Sequence, residues 1–426
     1  MCELFRLAHI LGANVSGSDK AFSATMTDLL NEGFDVYIGS DPQKAINADL
    51  VVFSSAVKSH DPELSASAEK AVERFEFLGI ISKLFPRTLA VSGTHGKTTV
   101  TGMLADIFSE AKASFVAHLG GKSLNLKGGL AINGDKLFIT EACEFRKSFL
   151  ALSPSVNLIL NIEYDHPDCY PTPGDLYQAF SRLANKTKRN GSLILGKNVK
   201  EKIDISSYEH ISICEYNKHF RLTDYQPVGP GCEFCLESDW GKLALKLPIK
   251  GYHNAYNGAM AGITAQMEGI SEQAICLGLE KFRGISRRLE FMGNFKGGKI
   301  ICDYAHHPTE IKAAIRAVKN EGTINVIFEP HTFSRTAGLF DEFVSAFEFA
   351  DRLFILPTYA ARETAQEGKT AFELFSAITH REKYFCNNYE LCIDLIKKIV
   401  KEKELLLVLG AGNINNLASQ IVERYD

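Results

Sequence analysis

The sequence has 426 residues, long for one hydrophobic core, and predicts two or three domains at roughly 100–200 residues each. A hydrophobic share of 45% and a charged share of 23% exclude a disordered or fibrous chain, and a formal charge of −4 gives no polycationic footprint for nucleic acid or an anionic membrane. Ten cysteines make no disulfide framework, no charged-then-apolar leader opens the chain, and no apolar run reaches the ~20 residues that span a bilayer, so a cytoplasmic protein with reduced thiols is expected.

Leu4, Leu7, Ala8 and Leu11 have i, i+3, i+4, i+7 spacing, so residues 3–11 read as an amphipathic helix with no strand before it. Strand and helix signals then alternate: ANVSGSD before SATMTDLLNEG, then DVYIGS, then ADLVVFSSAV before a helical stretch from Pro62 to Phe77. That rhythm argues for a parallel sheet with crossover helices. A nucleotide-binding unit of this type opens with a strand and a Gly-rich turn, and neither is seen ahead of the first helix.

A second segment begins near Arg87 with a strand at Leu89–Val91 that runs into SGTHGKTT. Gly93 and Gly96 let the backbone turn tightly, and the helix that follows carries Val100, Met103, Leu104, Ile107, Phe108 and Ala111 at helical period. Strand, glycine loop and helix N-terminus together form a phosphate cradle, in which Lys97 would reach β/γ-phosphates and the Thr98 hydroxyl could bind Mg²⁺. The spacing is shorter than in the usual P-loop, since only Thr94 and His95 separate the two glycines.

KLFITEACE and NLILNIEYDH read as strands whose polar ends lie where open α/β sheets bind ligands. Glu141 is a natural oxygen ligand for Mg²⁺; His166 is less so, and a lone histidine is more often a structural hydrogen-bonding group. Glu144, Asp165 and Asp168 read as spare carboxylates on a solvated rim. Residues 200–250 fit no period well, although LALKLPIK suggests an antiparallel strand, and Cys232 and Cys235 form a lone C-x-x-C with no second pair to make a zinc site. In GYHNAYN, His253, Asn254 and Asn257 start a helix, with Asn254 suited to its N-cap.

A third segment begins near Gly284 and repeats the alternation through KIICDY, INVIFEP, RLFILP and LLLVLGAGN. Arg287 and Arg288 stand at its boundary, where arginines can bridge to phosphate or carboxylate. Asp303, His306 and His307 follow one strand, with Thr309 placed to cap the next helix, and His331 and Arg335 follow the next strand. Both groups belong at one carboxyl edge. Their spacing is not that of a metal site, so substrate and phosphate recognition is the favoured role.

Together VSGSD, GTHGKTTVTGMLADI, EACEFRKSFL, NIEYDHPD, GYHNAYN, RRLEFMG, DYAHHPTEI, EPHTFSRT and LGAGNI resemble the Mur ligase family, ATP-dependent amide-forming ligases of peptidoglycan precursor synthesis, over almost the whole chain. The resemblance implies three α/β domains with parallel sheets: residues 1–85 for a UDP-sugar, 86–284 for ATP and 285–426 for the amino acid. It implies UDP-N-acetylmuramate and L-alanine as substrates, ATP and Mg²⁺ as cofactors, and a monomer or homodimer. A peptide acceptor of cell-wall recycling and a catalytically impaired ATP-binding homologue are the other readings. By position, Gly93, Thr94, His95, Gly96, Lys97, Thr98 and Thr99 would hold the phosphates, with Asn254 and Asn257 near the nucleotide. Thr98 and Glu141 would hold one Mg²⁺ and His166 a second; Arg288 would lie near the γ-phosphate, and His307, His331 and Arg335 would face the acceptor. The family's first domain opens with a strand and a Gly-rich turn for uridine diphosphate, and both are expected to be missing here.

Overall fold

The strand that leads into the glycine loop, Arg87–Ser92, is buried from Thr88 onward, which its apolar, β-branched run favours. The computed structural model describes residues 1–126, 128–206, 210–361, 363–364 and 370–425. In it, Arg87–Ser92 is the fourth strand of a seven-stranded sheet, ordered Ser212–Glu215, Ser192–Leu195, Val156–Ile159, Arg87–Ser92, Leu137–Glu141, Phe115–Ser123 and Gly128–Ile132. All neighbours are parallel except the last pair. Register sets Val91 beside Glu141 and Ser92 beside Ile159, so both flanking strands end next to the loop.

Helix Lys97–Glu110 lies on this sheet with Val100, Met103, Leu104 and Ile107 at 0% exposure. At about 1.5–3 kcal/mol for each fully buried side chain, that stripe anchors the loop from its carboxyl side. A three-stranded antiparallel sheet, Phe220–Val228, Gly231–Ser238 and Gly241–Leu247, covers helix Tyr252–Met267. The strand expected at LALKLPIK is its last member. Cys232 and Cys235 lie on the middle strand as free thiols.

The third unit is a six-stranded sheet ordered Glu290–Phe295, Gly298–Asp303, Leu405–Leu409, Ile324–Phe328, Arg352–Ile355 and Lys383–Phe385, parallel except for its first pair. Each strand named from KIICDY to LLLVLGAGN is present.

The first unit departs from its expected form. Helix Cys2–Ile10 forms where the spacing placed it, but its buried Leu4 and Leu7 join the core of the seven-stranded sheet, with Phe85 and Phe138. Beyond it are two separate parallel pairs, Ser16–Asp19 with Asp35–Ile38 and Val51–Phe53 with Ala71–Glu73. The single helix expected from Pro62 to Phe77 is divided: Pro62–Ala66 is a short helix, Ala71–Glu73 is a strand, and Arg74–Ser82 is a helix with a Glu73/Glu76 capping box. Strand pairing to Val51–Phe53 wins over local helical period there. Among the described residues no helix is long and apolar enough to cross a membrane.

Candidate active site

Both loop glycines have positive φ, +134° at Gly93 and +86° at Gly96, which a side chain would strain. A Cβ at Gly96 would also meet Asn257 Oδ1 at 2.5 Å. Gly96→Ala is therefore expected to cost about 1–3 kcal/mol, read as a lower urea midpoint.

The loop is pinned to the segment after strand Val156–Ile159. Thr94 N–H donates to Asn161 O (3.2 Å), His95 N–H donates to Asn161 Oδ1 (2.9 Å), and Asn161 Nδ2 returns a bond to His95 O (3.0 Å). Thr94 Oγ1 donates to Glu163 O and accepts from Glu163 N–H, both at 2.9 Å. Such satisfied, partly buried bonds preorganise the turn.

Lys97 begins the helix and folds back over the loop. Its ammonium donates to Gly93 O (2.6 Å), Thr94 O (3.1 Å) and Glu144 Oε2 (2.8 Å). Burial works against the charge on both partners, yet mutual attraction holds Lys97 above and Glu144 below its ordinary value. Thr98 Oγ1 donates to Glu141 Oε2 at 3.0 Å, and Gly120 N–H donates to Glu141 Oε1 at 2.5 Å. Burial raises the pKa of Glu141, with Lys97 and Arg288 opposing, so this carboxylate lacks a full counter-charge. A hydroxyl and a buried carboxylate side by side are the oxygen donor set a hard divalent cation prefers.

Across the seam between the second and third units, Arg335 forks onto Asp165, Nε to Oδ1 at 2.8 Å and Nη2 to Oδ2 at 3.3 Å. Both residues are 4% exposed. Despite burial, Arg335 holds the Asp165 carboxyl well below the usual carboxylate range. The same guanidinium lies 3.2 Å from His331 Nδ1 and 3.5 Å from His166 Nδ1. Burial, aided by Arg335, pushes His331 down to about 4, so it is neutral at pH 7, and its ring stacks on Tyr359. His166 has φ +57°, and its Nε2 is 3.6 Å from both Glu144 and Asp165. A cavity of about 120 Å³ opens here, lined by Phe145, His166, Asp168, His331, Arg335 and Glu363.

Of the residues singled out from the sequence, Lys97, Thr98, Glu141 and His166 converge at the strand ends, and His331 and Arg335 join them from the third unit. Thr99 is buried behind the loop. Asn257 faces Gly96. Asn254 is not the helix N-cap; Gly251 is, and Asn254 Nδ2 donates to Lys250 O at 2.6 Å. His307 faces Tyr164 O through Nε2 (3.2 Å), and it, not Thr309, caps helix Pro308–Ala317: Pro308 takes the first helical position, which puts Thr309 inside the helix, and the His307 ring accepts the Thr309 N–H. Arg288 lies over the Tyr304 ring, with Nη1 3.8 Å from Glu310 Oε1.

Glu144 and Asp165 are not on a solvated rim: each is buried as the partner of a buried cation. Glu163, Glu310 and Glu363 are not singled out by the sequence pattern. Glu363 accepts from the N–H groups of Phe333 (2.6 Å) and Ser334 (3.0 Å), closing the start of the short helix that carries Arg335. The signal that was available for Glu144 and Asp165 is their place in the segments that follow two buried strands, Leu137–Glu141 and Val156–Ile159, where a buried Lys or Arg demands an anion.

Family models match along nearly the whole chain: the Mur ligase family catalytic domain over residues 1–86, the Mur ligase middle domain over 91–265, and the Mur ligase glutamate ligase domain over 287–412. A UDP-N-acetylmuramate–L-alanine ligase of Caldicellulosiruptor bescii is 34% identical over 423 residues, covering 96% of this chain and 93% of that protein. Its counterpart in Clostridium tetani is 34% identical over 417 residues, with coverage of 95% and 91%. Among solved structures, the UDP-N-acetylmuramate–alanine ligase of Thermotoga maritima superposes with a TM-score of 0.79 at 24% identity, over 99% of this chain and 95% of that one. A murein peptide ligase of Psychrobacter arcticus gives a TM-score of 0.74 at 21% identity, with the same coverage.

Proposed function

We propose, since this chain belongs to the Mur ligase family, that it joins L-alanine to the lactoyl carboxylate of UDP-N-acetylmuramate, with cleavage of ATP to ADP and phosphate. The observation that carries the reading is the cavity at the seam, where His166, linked through Glu144 to Lys97, meets His331 and Arg335 of the third unit. In this reading residues 1–85 receive the sugar nucleotide, 86–284 bind ATP and 285–426 bring the amino acid, in the cytoplasm.

The lactoyl carboxylate oxygen attacks the γ-phosphorus, and ADP leaves. The amine of L-alanine then attacks the acyl carbon, loses a proton, and inorganic phosphate departs with the oxygen that had belonged to the carboxylate. Lys97 turns from the loop carbonyls to the β/γ-phosphates, and the backbone of residues 93–99 lines their path. Asn257 and Asn254 border the nucleotide, and Arg288 stands at the seam for the transferring phosphate. Mg²⁺ bound by Thr98 and Glu141, with His166 on a second ion, would supply neutralisation of phosphate charge. His307 and the neutral His331 lie along the acceptor side, and Arg335, its Nε and Nη2 held by Asp165, sets its positive charge at the cavity wall for the acceptor carboxylate.

Phosphate release should require both UDP-N-acetylmuramate and L-alanine, and with ¹⁸O in the lactoyl carboxylate the label should appear in the released phosphate. Release with neither substrate present, or an unlabelled phosphate, would overturn the reading. A tripeptide that outcompetes L-alanine would move the assignment to a peptide ligase.

A further inference from the structure

His95 stands inside the phosphate loop, yet none of its polar atoms is aimed at the cradle. Its N–H and carbonyl are bonded to the Asn161 side chain, and its ring lies between two carboxylates of different units: Nε2 is 2.9 Å from Glu163 Oε2, and Nδ1 is 3.0 Å from Glu310 Oε1. Glu163 belongs to the segment that pins the loop. Glu310 belongs to the first turn of helix Pro308–Ala317, where its Oε2 also accepts the His306 N–H at 3.2 Å.

The other groups facing this ring are His307, whose ring centroid is 4.8 Å away, and, through Glu310, His306 and Arg288. Thr309 Oγ1 donates to the remaining oxygen of Glu163, so the same helix turn holds both carboxylates. Burial opposes a charge on His95, but the bonds to Glu163 and Glu310 outweigh it and raise the imidazole to about 9. Glu163 is drawn down to about 2 against its own burial, and Glu310 sits well below the ordinary carboxylate value with His306, His95 and Arg288 around it.

His95, Glu163 and His307 bring ligand-type atoms within 4.8 Å of one another. Each of the four ring nitrogens already has a protein partner, since His307 Nδ1 accepts from Thr309 N–H (3.3 Å) and Nε2 donates to Tyr164 O. A cation would have to break that set, so the cluster is a hydrogen-bonded bridge and not a metal site.

We propose that His95 is a positioning residue that latches the phosphate loop to the acceptor-carrying unit, so that closure of the seam through Glu310 fixes the loop for phosphoryl transfer. The proposal rests on the functional reading above for what is transferred, and on the seam geometry alone for the latch. The loop's Thr94 and His95 backbone is already held by Asn161 and Glu163, so nucleotide can bind with the seam open. The ring contact to Glu310 adds the third unit to the loop itself, beside the Thr309 bond to Glu163.

The test compares the full-length chain with Glu310→Gln, His95→Gln and the double variant. The Glu310→Gln substitution keeps an oxygen for the His306 N–H while losing the charge. For Glu310→Gln, Mg-ATP affinity by calorimetry should change less than about threefold, whereas kcat/KM for L-alanine should fall about 10–100-fold, most of it in kcat. The double variant should be no worse than the worse single, because both remove one contact. Small-angle scattering with a non-hydrolysable ATP analogue should show wild type more compact than either variant. Equal compactness in wild type and Glu310→Gln, losses that multiply in the double variant, or a parallel fall in ATP affinity would each overturn the latch. If wild type itself fails to turn over L-alanine, the functional reading falls, and the scattering comparison still decides the latch.

Discussion

Lys97→Met should lower ligase turnover by about 10²–10³-fold and at the same time destabilise the protein by about 3–5 kcal/mol. Two separate physical causes act. The rate loss follows from removing the only ammonium in the loop, the group proposed above to meet negative charge as it moves between phosphate oxygens. The stability loss follows from Glu144, whose side chain is 3% exposed and would be left buried without its cation. The two effects separate in the double variant Lys97→Met, Glu144→Gln. Urea unfolding should recover most of the stability because no buried charge is left alone, while phosphate release stays as low as in Lys97→Met. A double variant that regains turnover would show that Lys97 serves only to neutralise Glu144.

Arg335→Ala should be destabilising to a similar degree, about 3–5 kcal/mol, and should raise the KM for L-alanine. Arg335 and Asp165 are side chains 5% exposed that neutralise each other across the seam. The pH dependence distinguishes this cause from a simple cavity. In the wild type the Asp165 carboxyl is held below its ordinary value near 3.8, so its contribution is fully present above that pH and is lost as pH falls. Without Arg335, burial dominates and the carboxyl rises, so the variant should lose less stability on acidification than wild type does. Arg335→Ala, Asp165→Asn should regain much of the lost stability at pH 7, with the acceptor defect intact. Arg335→Lys should restore the charge beside Asp165 but not the two-point fork onto it, and so should recover only part of the lost stability.

The legible part of the site is local. Gly93, Gly96, Lys97 and Thr98 lie within one short stretch bounded by a strand and an apolar-striped helix, so their placement follows from neighbouring residues. Glu141 is legible for the same reason, as the polar end of an apolar strand. The helix expected from Pro62 to Phe77 fails because its spacing is helical but Ala71–Glu73 finds a strand partner twenty residues earlier in the chain. Glu144 and Asp165 read as surface groups because a charged residue after a strand is ordinarily solvated, and nothing adjacent in sequence shows that Lys97 and Arg335 will bury them.

By itself, then, the sequence determined the strand, glycine turn and helix around Lys97, the alternation that builds the two large sheets, the strand end that carries Glu141, and the segments after strands that carry His166, His307 and His331. Each follows from backbone preference and periodicity over a few residues. Only the tertiary structure decided which charges are paired. Asp165 meets Arg335 across 170 residues, and His95 meets Glu310 across 215. A charge's burial and partner are set when two separately wound sheets close on each other, and the energy of that pairing depends on distance and desolvation, which no local pattern contains.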